Sequence, residues 1–405
     1  MGNIADYARG ETRGFDSLPF GEVDALVMAE LSYEDVPDSV PTLAGLEADY
    51  GTPGRRLRHA SLRHPLRAAR LLRAAPRPSV TLPDVDTALH GDPGHADDDA
   101  PHPVHALHFV APATIHDFHQ AAAHNPRFSA VTVGAFAERL DEDEQTQFAA
   151  ITYGLPDGTL VIAFRGTDDS LVGWKEDFNM AFRYPVPAQE AAADYVARVA
   201  RLWPGAPMIL TGHSKGGNLA VYAAMMADNA TRGRIRRIYS LDGPGFPESV
   251  VVGEAYRRVL PLVVKIMPDS SIVGMLLEMP ETCVVVKSDA GGIMQHFAFS
   301  WQVEGDRFVR CYGLNPSSQQ FNKSLNDWLK ALPAGECEHA VDALFSVLGA
   351  TGATSFAELT AQLPASIPAM LGAVAGLTSD ERKHIGEALA ILVKAATARS
   401  KAVVR

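Results

Sequence analysis

The segment Met208 to Ala220, MILTGHSKGGNLA, constrains this chain more than any other. A short apolar run passes into Gly212-His213-Ser214-Lys215-Gly216 and then into residues of helical composition. That is G-x-S-x-G in a strand–turn–helix setting, the pattern of a nucleophile elbow. The turn needs small residues, because Cβ atoms at Gly212 and Gly216 would clash as the backbone doubles back under a strained serine. Gly217 lets the following helix approach the sheet closely. The serine hydroxyl is thereby exposed above a helix N-terminus, whose N–H groups favour developing negative charge.

The flanking sequence has the alternation that such a unit requires. Strands are expected at Ala150–Tyr153, Leu160–Phe164, Met208–Thr211, Ile235–Leu241, Leu262–Met267 and Thr282–Lys287. Helices are expected at Asp141–Phe148, Ala188–Leu202, Gly217–Asp228 and Glu248–Leu260. Together they imply an α/β fold with a mostly parallel central sheet flanked by helices. Phe297–Val303 and Phe308–Tyr312, around Glu304-Gly305-Asp306, read as a hairpin near the sheet's last edge. The 405 residues then divide into four parts. Residues 1–37 form an N-terminal segment packing on the core, and 38–114 an insertion or cap with a flexible His/Asp/Pro-rich linker. Residues 115–312 form the catalytic core and 313–405 a helical C-terminal extension.

A serine hydroxyl is a weak nucleophile unless a histidine takes its proton and an acid orients that histidine. In this kind of fold the partners follow in the order serine, acid, histidine. After Ser214 the only histidines are His296, His339 and His384, and the last two fall in the helical extension. His296 lies in a loop just before the expected hairpin and is the candidate base. Two acids follow expected strands: Asp269 is the favoured partner, and Asp242, in Asp-Gly-Pro-Gly, is the alternative. Aspartates in turns commonly cap their own backbone, a reading open to both. An acyl-transfer site also needs oxyanion donors. Lys215 supplies the N–H after the nucleophile, and Thr167, in LVIAFRGTDD, is expected to supply the second.

Composition narrows the remaining classes. A net charge of −12 argues against a nucleic-acid partner. No apolar run is long enough for a membrane helix. The opening MGNIADYARGETRGFD has no apolar signal region, and Asp6 stands where a myristoylation motif wants Ser or Thr, so the expected compartment is the cytoplasm. Cys283, Cys311 and Cys337 suit neither a disulfide framework nor a zinc site. Neither a metal nor a cofactor is expected. Arg55 to Arg77 carries eight arginines and no acid, which suits weak contact with an anionic membrane surface or a solvated cap helix. Eight of the fourteen histidines lie between His90 and His124, in and around a Pro- and Gly-rich tract that reads as a polar linker.

Two segments resemble the class 3 lipase family. FRGTDDSLVGWKEDF (164–178) is similar to its oxyanion strand, and TGHSKGGNLAVYAA (211–224) to its elbow. The resemblance implies an α/β-hydrolase fold with Ser214 as nucleophile and Thr167 and Lys215 at the oxyanion hole. MPDSSIVG (267–274) resembles the family's acid-bearing loop, which supports Asp269, and His296 matches its histidine. A second resemblance spans nearly the whole chain. FGEVDALVMAELSYEDV, NPRFSAVTV, QTQFAAITY and GWKEDFNMAF look like a bacterial family of lipase-like proteins of unknown function. Two departures bear on substrate: Lys215 replaces an apolar residue, and Asp168 to Asp177 is too charged for an apolar lid. The implied activity is an intracellular serine esterase acting on small or amphiphilic esters. Thioesterase, amidase, phospholipase and a non-catalytic binding module remain alternatives.

Overall fold

The computed structural model describes residues 2–57, 75–76, 78–91, 112–141, 146–167, 175, 179–180, 183–331, 337–353 and 362–375. Ahead of the sheet come α1 (Ile4–Gly10), α2 (Glu22–Leu31), α3 (Leu82–His90) and α4 (Pro112–His124). The sheet strands are β1 (Thr132–Asp141), β2 (Thr146–Gly154), β3 (Leu160–Phe164), β4 (Met208–His213), β5 (Ile235–Leu241), β6 (Val263–Pro268) and β7 (Cys283–Val286). They lie in the order β1-β2-β3-β4-β5-β6-β7, antiparallel from β1 to β3 and parallel from β3 to β7. Helices α5 (Pro187–Leu202) and α6 (Lys215–Met226) flank β4 in sequence. The chain continues through α7 (Pro316–Ala331), α8 (Cys337–Gly349) and α9 (Leu363–Ala375).

The sheet is apolar on both faces because both are covered. β3 and β4 are buried along their whole length, as expected for central parallel strands. Alternate residues of β3 diverge. Leu160, Ile162 and Phe164 join the core under α5 and α6, whereas Val161 and Ala163 join the core under α1, α2 and α4. α5 presents Ala192, Tyr195, Val196 and Val199 inward at helical spacing. α2 carries seven apolar residues and three carboxylates, and every residue from Val23 to Leu31 is buried, Asp24 and Glu30 included. Its place is fixed by a buried bidentate pair, Arg127 Nε and Nη2 donating to Asp24 at 2.7 and 2.6 Å. Thr211 Oγ1 of β4 adds a hydrogen bond to the Ala25 carbonyl (2.9 Å).

Three expectations need correction. Asp141 and Thr146–Phe148 are strand rather than helix: Asp141 ends β1 and Thr146–Phe148 opens β2, with Asp141 paired to Thr146, while residues 142–145 lie outside the described residues. β1 itself was not anticipated, and a register shift between Gly134 and Ala137 breaks its two-residue period. Glu248–Leu260 is split into Glu248–Val251 and Glu254–Val259. The expected hairpin shrinks to β8 (Val303–Glu304) and β9 (Arg307–Phe308), a separate two-stranded ladder. What lines the last edge is the stretch after it, where Cys311 N–H donates to the Val285 carbonyl (2.9 Å).

Most of Arg55–Arg77, the tract 92–111, residues 168–174 and 376–405 lie outside the described residues. The membrane-contact, linker and lid expectations fall largely there. Among the described residues no helix is long and apolar enough to cross a membrane.

Candidate active site

Ser214 follows β4 with φ +56° and ψ −134°, a conformation that costs a non-glycine residue about 1–3 kcal/mol. The surrounding backbone enforces it. Ser214 N–H donates to the Leu241 carbonyl (2.9 Å), and its own carbonyl accepts from Gly217 N–H (2.9 Å). A Cβ at Gly212 would lie 2.2 Å from the Gly216 carbonyl carbon, and one at Gly216 2.1 Å from the Phe164 oxygen. Both clashes are with backbone, so neither site has room for a side chain.

His296 ends a 3₁₀ turn, Gly292–His296, and is buried. Its Nδ1 donates to Asp242 Oδ2 at 2.7 Å, the tautomer following from a carboxylate that only accepts. Asp242 is fully buried, and its other oxygen accepts from the Ser271 hydroxyl. Ser271 Oγ is itself held by the Gly274 N–H (2.9 Å). Burial keeps the His296 pKa below the ordinary histidine value; the neighbouring His213 acts in the same sense and Asp242 opposes it.

Asp269 is not the partner of His296. Its N–H donates to the Val286 carbonyl (3.2 Å), its carbonyl accepts from Asn315 (2.7 Å), and Oδ1 accepts from the Ser270 hydroxyl (3.0 Å). The reason lies in register. Leu241 of β5 is level with Ile266 of β6, so Asp242 is level with Met267 while Asp269 lies two residues further along, beside β7.

Thr167 is buried at the exit of β3, and Lys215 opens α6. The first amides of a helix lack intrahelical acceptors, so the Lys215 N–H belongs to a donor cluster. The Lys215 side chain is fully buried and its Nζ donates to the Gln147 carbonyl of β2 (3.0 Å).

Three further residues enter the site: His213, Glu30 and Tyr33. His213, the last residue of β4, stacks on His296 with ring centroids 4.7 Å apart and planes at 27°. Its Nε2 donates to the His296 carbonyl (2.8 Å), and its Nδ1 lies 3.1 Å from Glu30 Oε1. Burial works against a charge on His213, but Glu30, Asp242 and the His296 carbonyl together outweigh it and the pKa is raised. Tyr33 Oη accepts from the Gly166 N–H at 3.0 Å. A Cβ on Gly166 would fall 2.3 Å from that oxygen and 3.1 Å from Ser214 Cβ, so the three residues meet at one point. Glu30 had one visible signal: a carboxylate in the apolar helical run LVMAEL must find a buried partner.

The arrangement supplies a strained serine, a buried imidazole–carboxylate pair and amide donors at a helix N-terminus. Among the described residues no group of three or more His, Cys, Asp or Glu is arranged to hold a metal ion. The model of the family described as Mbeg1-like matches residues 122–346, more than half of the chain. The match takes in Ser214, Asp242, Asp269 and His296 and leaves Glu30 and Tyr33 outside it. The family is lipase-like in general. No curated protein matches the chain.

Proposed function

The chain belongs to the Mbeg1-like family, and we propose that it is a serine hydrolase of α/β-hydrolase type that cleaves carboxylic esters. Ser214 Oγ attacks the ester carbonyl while His296 Nε2 takes its proton. Asp242 holds the Nδ1–H and stabilises the imidazolium. The N–H groups of Lys215 and Thr167 receive the oxyanion, each such donor being worth about 3 kcal/mol in the transition state. Collapse releases the alcohol, which takes the proton back from His296 and leaves an acyl-Ser214. Water, deprotonated by the same histidine, then frees the acid.

The observation that carries this reading is the buried 2.7 Å His296–Asp242 contact beside a serine held at φ +56°. Asp242 replaces Asp269 as the proposed acid for the same reason. A small or amphiphilic ester suits the site better than an oil droplet, since the oxyanion strand leads into the charged run Asp168 to Asp177.

The test is labelling by a fluorophosphonate probe, wild type against Ser214→Ala, followed by p-nitrophenyl esters of increasing chain length. Labelling confined to wild type, with turnover of the shorter esters, is the expected result. A well-folded wild type that neither labels nor turns over any ester in the series would sink the proposal and favour a non-catalytic binding module.

A further inference from the structure

Glu30 and Tyr33 come from one short stretch, the last turn of α2 and the residues after it, yet both end at the elbow. Glu30 is 3% exposed, and burying a lone carboxylate costs several kcal/mol unless it is paired. The partner it finds is His213. Of the two ring nitrogens of His213, one faces the Glu30 carboxylate and the other the His296 carbonyl. Both of those groups accept, so a proton on each nitrogen suits His213 to them, its contact with Glu30 being a 3.1 Å ion pair without hydrogen-bond alignment.

The consequence falls on His296. Trp301 Nε1 donates to the Gln295 carbonyl (2.8 Å), and His213 Nε2 donates to the next carbonyl, that of His296 (2.8 Å). Two successive main-chain carbonyls of the histidine loop are thus pinned by buried rings, and one of those rings also stacks on the imidazole. Asp242 holds only the side chain. On the other side of Ser214, the Tyr33 hydroxyl holds the amide of Gly166, the residue before Thr167.

We propose that the end of α2 is part of the active site, Glu30 acting through His213 to position His296, and Tyr33 positioning the Gly166–Thr167 turn beside Ser214. This rests on the serine-hydrolase reading. Both are positioning residues, acting through groups that touch the reacting atoms. A displacement of a catalytic group by even 1 Å can cost on the order of a hundredfold in rate.

The experiment compares full-length wild type, Glu30→Gln and Tyr33→Phe on a p-nitrophenyl ester. Each variant is expected to lose about tenfold in kcat with KM within about twofold, the pattern of an interaction expressed in the transition state. Glu30→Gln also moves the acid limb of kcat/KM upward. The charged groups facing His296 are Asp242, His213 and Glu30, and those facing His213 are Glu30 and Asp242. Without Glu30 the stacked ring gives up its extra proton and no longer opposes protonation of His296, which outweighs the loss of the weaker attraction that Glu30 itself exerts on His296. Folded variants with wild-type kcat and an unmoved limb overturn the proposal, while Ser214→Ala still reports separately on the hydrolase reading. Ring ¹⁵N spectra of the histidines supply a readout independent of turnover. A doubly protonated His213 at pH 7 that becomes singly protonated in Glu30→Gln supports the pairing. A singly protonated His213 in wild type overturns it, whether or not either variant folds and whether or not any ester is cleaved.

Discussion

Two imidazole–carboxylate assemblies lie one helical turn apart along the chain, and only one of them stands at the elbow of the proposed active site. Around the elbow, Glu30 meets His213 and Asp242 meets His296, all four side chains being buried. Just beyond α2, Glu34 contacts His119 and His90 while Asp86 contacts His90 and His124. The second assembly has more histidines and borders a small apolar cavity lined by Val36, Val40, Leu82 and Val85. It joins α3 and α4 to the end of α2, whereas Ser214, the one serine at positive φ among the described residues, belongs to the first assembly. A carboxylate beside an imidazole is thus a common way to fasten helices. What sets the proposed site apart from the fastener is a strained serine at the N-terminus of α6, where the first amides lack intrahelical acceptors.

The contrast is broken most directly at Ser214. Ser214→Ala is expected to remove ester turnover by a factor of about 10⁴ or more, since a triad without its nucleophile retains only residual catalysis. Steady-state hydrolysis of a p-nitrophenyl ester measures it, and a variant within tenfold of wild type would erase the distinction between the two assemblies. Asp242→Asn follows, with an expected loss of about 10³–10⁴ in kcat through the wrong tautomer of His296. Asp269→Asn, whose side chain accepts from the neighbouring Ser270 hydroxyl, is expected to stay within about twofold, because substitutions away from the reacting groups act weakly. The reverse order in the same assay would restore Asp269.

That pair of aspartates shows where sequence reading stops. The strand Met208–His213 and its turn are legible because local spacing dictates them: Gly212 and Gly216 leave the backbone one route. His296 is legible by elimination, with few histidines following the elbow. Choosing between Asp242 and Asp269 needs the register of β5 against β6, which is a long-range property. β1 was missed because its bulge hides the alternation, and the acidic run after it imitates a helix start. Glu30 and Tyr33 are the hardest, since their partners lie 183 and 133 positions away. Only the unexplained charge in an apolar helix hinted at them.

The fastener is sharpened by a change that should touch stability and nothing else. Asp86 is buried and its two oxygens meet His90 and His124 at 3.1 and 3.0 Å. Asp86→Asn replaces one buried acceptor oxygen with an NH2 donor facing a histidine, at a cost of about 1–3 kcal/mol. Urea unfolding is expected to show that loss with kcat within about twofold of wild type, as for a residue remote from the reacting atoms. A kcat that fell with the stability intact would mean that this assembly serves the chemistry after all.

The smallest expected effect is one of pH. A protonated His296 cannot accept the proton of Ser214, so kcat/KM falls as pH falls through its pKa. Burial holds that pKa below the ordinary 6.5, with His213 reinforcing and Asp242 opposing. The acid limb of wild type is therefore expected below pH 6.5, and a midpoint at or above that value would contradict the buried, neutral imidazole. The same inequality has a sign for folding. Below pH 6.5 the unfolded chain protonates this histidine while the native chain does not, so the contribution of His296 to stability is complete above that pH and declines in acid. His213 has the opposite shift, and its contribution is complete below pH 6.5 and declines as pH rises through its raised pKa. Two stacked histidines with opposite linkage make the site most stable near pH 6.5, with losses on either side. A histidine pair that titrated together would instead place both limbs on the same side of 6.5.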